Sequence, residues 1–134
     1  MRVFLDTNVL VAAFATRGLC ADVLREVLVG HELLVGEVVL TELERALTRR
    51  LQLPATAVEE ILAFLREHEV VQKPATPASL PIRDPADRWI LASALAGRAD
   101  VLVTGDRDLL DIAAHSPIRI LDPRAFWELA RKKR

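Results

Sequence analysis

The sequence predicts an α/β fold, a three-layer sandwich in which helices flank a central, largely parallel β-sheet. Three observations lead there. Short aliphatic runs alternate with longer stretches whose apolar residues recur at helical spacing. The short runs are apolar throughout rather than alternating with polar residues, as strands covered on both faces must be. The chain has 134 residues, 51% of them hydrophobic. That is enough for one buried core, so residues 1–134 are expected to form a single domain.

The strands are expected at Val3–Asp6, Glu32–Val35, Val70–Gln72, Val101–Thr104 and Ile118–Leu121. A helix begins near Asn8. A second, over Val38–Arg49, turns Val39, Leu40, Leu43 and Leu47 inward. A third, over Ala55–His68, gathers Val58, Ile61, Leu62 and Leu65 on one face behind Pro54, whose missing N–H costs nothing at a helix start. Asp84-Pro85-Ala86-Asp87 and Asp122-Pro123 each open a helix with an acid at the cap and proline in the first turn. A short helix follows over Arg107–Ala113. Lys73–Pro81 contains three prolines and is expected as an irregular loop, and the tail Arg131–Arg134 as frayed.

Composition excludes several classes. With 28% charged residues and no apolar run near the ~20 residues that span a bilayer, neither a disordered tail nor a membrane protein is expected. The apolar stretch Val9–Ala15 has no cleavage pattern after it, so it is not expected to be a signal peptide. Cys20 is the only cysteine, which rules out an internal disulfide and points to a small buried hydrophobe in an intracellular, cytoplasmic chain. His31, His68 and His115 are expected to be solvated. A net charge of -1 excludes broad electrostatic adhesion to nucleic acid. It leaves room for a site whose positive charge arrives as a metal ion. No P-loop, dinucleotide fingerprint or nucleophile elbow is present, and five glycines are too few for a backbone phosphate cradle.

Parallel sheets bind ligands beyond the carboxyl ends of their strands. Strand one ends in Asp6-Thr7-Asn8 and strand four in Thr104-Gly105-Asp106, while Glu42 lies in the helix after strand two. Each acid has an ordinary explanation. Asp6, Asp84 and Asp106 are all placed to cap helices. Glu42 is within reach of Arg45 and Arg49 for surface ion pairs. Thr7, Asn8 and Thr104 fit turns or caps, and Asp108 is able to exchange roles with Asp106. Asp87 is different, because it precedes Ile90, Leu91 and Ala94 by three, four and seven residues and so lies on the buried stripe. Taken together, Asp6, Glu42, Asp87 and Asp106 form a cluster in which each like-charge pair at 4 Å costs about 4 kcal/mol at an effective dielectric near 20. Such a cluster requires a cation or bound protons. All-oxygen donors without histidine or thiolate favour Mg²⁺ or Mn²⁺ over zinc.

Along nearly its full length the chain resembles the PIN domain, in the branch of VapC-type toxins of toxin–antitoxin pairs. The resemblance rests on Val3-Phe4-Leu5-Asp6-Thr7-Asn8-Val9-Leu10, Thr41-Glu42-Leu43, Asp87-Arg88-Trp89-Ile90-Leu91-Ala92 and Leu102-Val103-Thr104-Gly105-Asp106-Arg107-Asp108-Leu109-Leu110. It implies a Mg²⁺- or Mn²⁺-dependent endoribonuclease that leaves a 5′-phosphate and a 3′-hydroxyl. The family's four acids map onto Asp6, Glu42, Asp87 and Asp106, with Asn8, Asp84, Thr104 and Asp108 around them. Either Asp84 or Asp87 is open as the inner third acid, and Asp87 is preferred for its buried face. RNA is the implied substrate, with a cognate antitoxin and a second copy of the chain as partners. Arg17, Arg45, Arg49, Arg88 and Arg107 are available to steer RNA phosphates. Trp89 and Trp127 fit helix packing better than a base platform.

Three alternatives stand beside this reading. A housekeeping RNA-processing nuclease would use the same site. A catalytically inactive RNA- or protein-binding module would keep the fold. A phosphoacceptor receiver domain is disfavoured, because Ile118–Leu121 leads into Asp122-Pro123 without a lysine and Val70–Gln72 ends without an aspartate.

Overall fold

The computed structural model describes residues 1–132. Its order is β1 (Arg2–Leu5), α1 (Thr7–Ala15), α2 (Leu19–Gly30), β2 (Glu32–Gly36), α3 (Glu37–Arg45), a π-helical turn (Ala46–Arg50) and α4 (Ala55–Arg66). Then come β3 (Glu69–Val71), α5 (Pro85–Ala96), β4 (Val101–Val103), α6 (Arg107–Asp111), a 3-10 turn (Ala113–His115), β5 (Arg119–Leu121) and α7 (Pro123–Lys132). The strands make one sheet in the order β3-β2-β1-β4-β5, and every pairing is parallel. This is the expected three-layer α/β sandwich, with all five carboxyl ends on one edge.

The apolar strands are buried as their composition requires. Val3, Phe4, Leu5, Val101, Leu102 and Val103 are fully buried in the two central strands. On the helical side α1 packs on α2 and α2 on α7, while α5 lies against β2, β3 and β4 and touches α3. At Gly36 and Gly97 the layers approach too closely for a side chain. A Cβ on Gly36 would stand 2.8 Å from Phe4 Cζ, and one on Gly97 2.7 Å from Val71 Cγ2. No single helix is long and apolar enough to cross a membrane.

Several expectations are corrected. Strand one stops at Leu5, and Asp6 is the first residue past it, at the cap of α1. The helix expected over Val38–Arg49 is α-helical only to Arg45, then widens into an i→i+5 turn closed by Leu51 N–H donating to the Ala46 carbonyl at 3.1 Å. Helix α4 ends at Arg66, short of His68, whose Nδ1 lies 3.2 Å from the Phe64 carbonyl. One helix goes beyond the expectations: α2 buries Val23, Leu24 and Val27 at helical spacing.

His31 is not solvated. It lies between the chain start, Glu26 (3.4 Å) and the edge of Phe126, because β2 must begin beside β1. His68 is half-buried and His115 exposed. Cys20 is half-buried against the core, and burial raises its thiol pKa. Arg131 and Lys132 are helical, and the remainder of the tail, 133–134, lies outside the described residues.

Gly36→Ala is expected to destabilise the fold by about 1–3 kcal/mol, because the new Cβ would press on the ring of the fully buried Phe4. A urea titration would show this as a lower midpoint at unchanged slope, and an unchanged midpoint would refute the packing argument.

Candidate metal centre

The sheet order reverses direction at β1. From there the chain moves outward through β2 and β3, then crosses to β4 and β5 on the other side. Parallel sheets open a crevice at such a point, beyond the carboxyl ends. Here the ladder runs one residue past each strand. Asp6 N–H donates to the Val103 carbonyl at 3.0 Å, and Thr104 N–H to the Leu121 carbonyl at 3.0 Å. Asp6 and Thr104 therefore leave the sheet in fixed register.

A chain of hydrogen bonds grows from these two residues. Thr104, fully buried, donates its hydroxyl proton to Asp6 Oδ2 at 2.6 Å and accepts from Asp106 N–H at 2.9 Å. Asp6 Oδ1 accepts from Thr7 N–H at 2.7 Å, and Thr7 Oγ1 donates to Glu42 Oε1 at 2.6 Å. Asp106 Oδ1 accepts from Asp108 N–H at 2.8 Å. Glu42, Asp6 and Asp106, from three segments distant in sequence, are thus joined through two threonine hydroxyls. Thr7, which reads in the sequence as an ordinary turn residue, holds Glu42. Only the position of a hydroxyl directly after the strand-end acid hints at this role.

Asp87 completes the group. Asp84 caps α5 through Ala86 N–H at 3.0 Å and is exposed, whereas Asp87 in the first turn faces inward and is 6% exposed. Its Oδ2 has no hydrogen-bond partner. Asp6, Glu42, Asp87, Asp106, Asp84 and Asn8 all line one cleft of about 360 Å³. Asn8 is exposed at its rim. Asp108 stands to one side, where single oxygens of Asp84, Asp87 and Asp108 lie within 4.8 Å of one another. Among the described residues none of Asp6, Glu42, Asp87 and Asp106 takes part in an ion pair. Glu42 engages Thr7 rather than Arg45 or Arg49.

The opposite edge of the sheet shows the contrast. There Arg2 binds Glu32 at 2.9 Å, Glu69, and the carbonyls of Gly97 and Arg98. Carboxylates at that edge are paired with a guanidinium, whereas among the described residues Asp6, Glu42, Asp87 and Asp106 form no ion pair, although Arg45, Arg49 and Arg50 line the same cleft.

Two of the cleft acids, Asp6 and Asp87, resist ionisation. Burial pushes Asp6 up to about 6, against the lowering effect of the Thr104 and Thr7 bonds, with Glu42 and Asp106 adding repulsion. Asp87 is pushed up to about 8, first by burial and then by the neighbouring Asp106 carboxylate, with Asp84 and Asp6 adding repulsion. A buried carboxylate oxygen without a donor, among other oxygens only, is matched by a proton or a hard cation. The donor set fits Mg²⁺ or Mn²⁺ and offers nothing to a thiophilic metal.

A PIN domain family model matches residues 2–108. The chain belongs to the PIN domain family. Its fold is similar to that of a chain in the crystal structure of VapBC2 from Rickettsia felis bound to a DNA fragment from its promoter. That match has a TM-score of 0.61 and 17% identity, and covers 91% of this chain and 98% of the other. None of the curated proteins matches the sequence. Within this PIN domain the family match covers every residue of the cleft and its hydrogen-bond chain.

The acids predict a pH-dependent stability. Both folded-state pKa values lie above the ordinary 3.8, so between about pH 4 and 8 the folded chain holds protons that the unfolded chain has released. Stability in chelator is therefore greatest near the low end of that window, and this contribution is lost as pH rises through about 6 and then about 8. Thermal unfolding followed by circular dichroism should show the midpoint falling by several degrees from pH 5 to 8.5. Asp87→Asn should flatten the fall, and Mg²⁺ should raise the midpoint more at pH 8.5 than at pH 5. A variant with an unchanged slope would refute the assignment of Asp87.

Proposed function

We propose that this PIN domain, residues 1–134, is a Mg²⁺- or Mn²⁺-dependent endoribonuclease that hydrolyses RNA phosphodiester bonds as the toxin of a toxin–antitoxin pair. The observation that carries the reading is the convergence of Asp6, Glu42, Asp87 and Asp106 on one cleft, with a buried Asp87 oxygen left without a partner. These four would hold the cation, which when bound lowers the pKa of water and offsets charge on the phosphate.

The protein's own part is positional. Thr104 fixes the free lone pairs of Asp6 toward the cleft and ties Asp106 to them. Thr7 keeps Glu42 from swinging out to the nearby arginines. Asp84 and Asp108 flank Asp87 and add negative charge beside it, which favours a multiply charged cation over a proton. The toxin role is supported by the fold shared with a VapBC2 chain, and it implies a cognate antitoxin as partner. A homodimer and a cytoplasmic location complete the proposal.

Cleavage of a structured RNA pool in Mg²⁺ or Mn²⁺ tests the reading. EDTA should abolish it. Asp6→Asn should lower it by more than about 100-fold, beyond what is typical of a residue that only orients a ligand. That variant should keep a native circular dichroism spectrum. Full activity of Asp6→Asn would sink the assignment. Thr104→Val, which keeps the shape but removes both hydrogen bonds, should lose about 10–100-fold as a positioning residue, and a higher Mn²⁺ concentration should recover part of the loss.

A further inference from the structure

The cleft does not end at the carboxylates. A second cavity of about 230 Å³ adjoins it, sharing Glu42 and Ala86 and walled by Val38, Trp89 and Ile90. Lys73 stands at its side with Nζ 4.6 Å from the Trp89 ring centre. At the far end of the first cavity lie Arg45, Arg49 and Arg50. All three are exposed, and among the described residues none forms an ion pair, although carboxylates line the same space.

One wall of both cavities comes from α3 and the π-helical turn. The pairs Thr41–Glu42, Arg45–Ala46 and Arg49–Arg50 follow one another at four-residue spacing. A four-residue step overshoots one turn of α-helix by about 40°, so a straight helix would keep Arg49 within about 20° of Glu42's line but carry Arg50 roughly 80° away from it. The i→i+5 turn takes more residues per revolution and cancels part of that drift. The wider turn thus brings Arg50 back to the wall of the trough beside Arg45 and Arg49. From Glu37 to Arg50 the wall is roughly 20 Å long at about 1.5 Å per residue, room for a few nucleotides.

The trough therefore has three chemistries in sequence: arginines at one end, carboxylates in the middle, and an aromatic, largely apolar pocket with one lysine at the other. A single nucleic-acid strand presents phosphates and bases in just such a mixture, with guanidinium for the backbone and an aromatic face for the base. We propose that the trough is the path of a single strand of RNA. Arg45, Arg49 and Arg50 bind backbone phosphates on one side of the carboxylates, and the Trp89–Lys73 pocket takes a base on the other. The inference rests on the nuclease reading for its substrate, but its test is a binding measurement.

The probe is a labelled single-stranded RNA oligonucleotide, bound to full-length Asp6→Asn protein in Mg²⁺ and followed by anisotropy across a salt series. Adding Arg49→Ala and Arg50→Ala should weaken binding at least tenfold and reduce the slope of log affinity against log salt by about 0.7 per arginine. Arg124→Ala, on the exposed face of α7, should change neither. In a Trp127→Phe background the remaining indole is Trp89. RNA should quench its fluorescence, and the same backbone with abasic residues should bind about tenfold more weakly and leave it unquenched. Unchanged affinity in the arginine variant, or bound RNA that leaves Trp89 unquenched, overturns the path. Cleavage by the wild type with either result would keep the nuclease reading and discard the path. Binding with both dependences but no cleavage would keep the path and discard the nuclease. No RNA binding at all overturns both.

Discussion

The Thr104 hydroxyl has one proton, and the arrangement of the cleft follows from where it goes. It is given to Asp6 Oδ2, while Thr104 Oγ1 itself accepts from Asp106 N–H. A hydroxyl offers one donor and two acceptor lone pairs, so a single buried atom fixes two acids from opposite sides of the β1/β4 junction. This works only because the parallel ladder continues through Asp6 N–H and Thr104 N–H, which sets the register between them before any side chain is placed. Threonine is stiff at χ1, so the bridge has little freedom to relax. The separation of Asp6 and Asp106 is thus a property of the sheet rather than of whatever lies between them.

Capping and function are not competing explanations of these acids. Asp6, Asp84 and Asp106 each cap a helix, and each uses only Oδ1 to do so. A cap contributes about 1 kcal/mol and the helix dipole a similar amount. Mutual repulsion among neighbouring carboxylates is several times larger for each close pair. Caps therefore orient these groups but do not compensate their charge. Asp87 is more exposed to this imbalance than the others, since it caps nothing and is buried. Its preference for a proton in the metal-free chain and its fitness for a cation have one cause. The Arg2 cluster at the other sheet edge shows how the same fold treats acids that have only a structural task.

What the sequence made legible is what depends on period and position. Unbroken apolar runs announced the doubly covered strands. Asp87 could be told from Asp84 because three-, four- and seven-residue spacing from Ile90, Leu91 and Ala94 places it on the buried face. What was hidden depends on contacts across the chain. The place of Thr7 after the strand-end acid hints at a role, but the partner of its hydroxyl, Glu42, lies 35 positions away. His31 looked like a loop residue, and only the adjacency of β1 and β2 buries it. The π-helical turn reads as ordinary helix in the sequence, since Ala46 and Leu47 suit either geometry and the widening shows in backbone bonds such as that from Leu51 N–H to the Ala46 carbonyl. Arg50 was missed for that reason, while Arg45 and Arg49 were picked out.

A net charge of -1 says little about the cleft, because the charge is divided within it. Asp6, Asp84, Asp87 and Asp106 stand at the starts of α1, α5 and α6, while Glu42 and the arginines come from α3 and the turn after it. In the proposed reading a phosphate entering the metal-free cleft meets attraction at one end and repulsion in the middle. The arginines alone would hold a strand beside the carboxylates rather than across them. Filling the acidic centre with a cation reverses the sign there and makes the trough continuous for an anion. RNA affinity and metal affinity are then linked, and by reciprocity each must strengthen the other by the same factor. The orphaned oxygen of Asp87 is where that linkage enters, since it is the group whose burial is least tolerable without a cation.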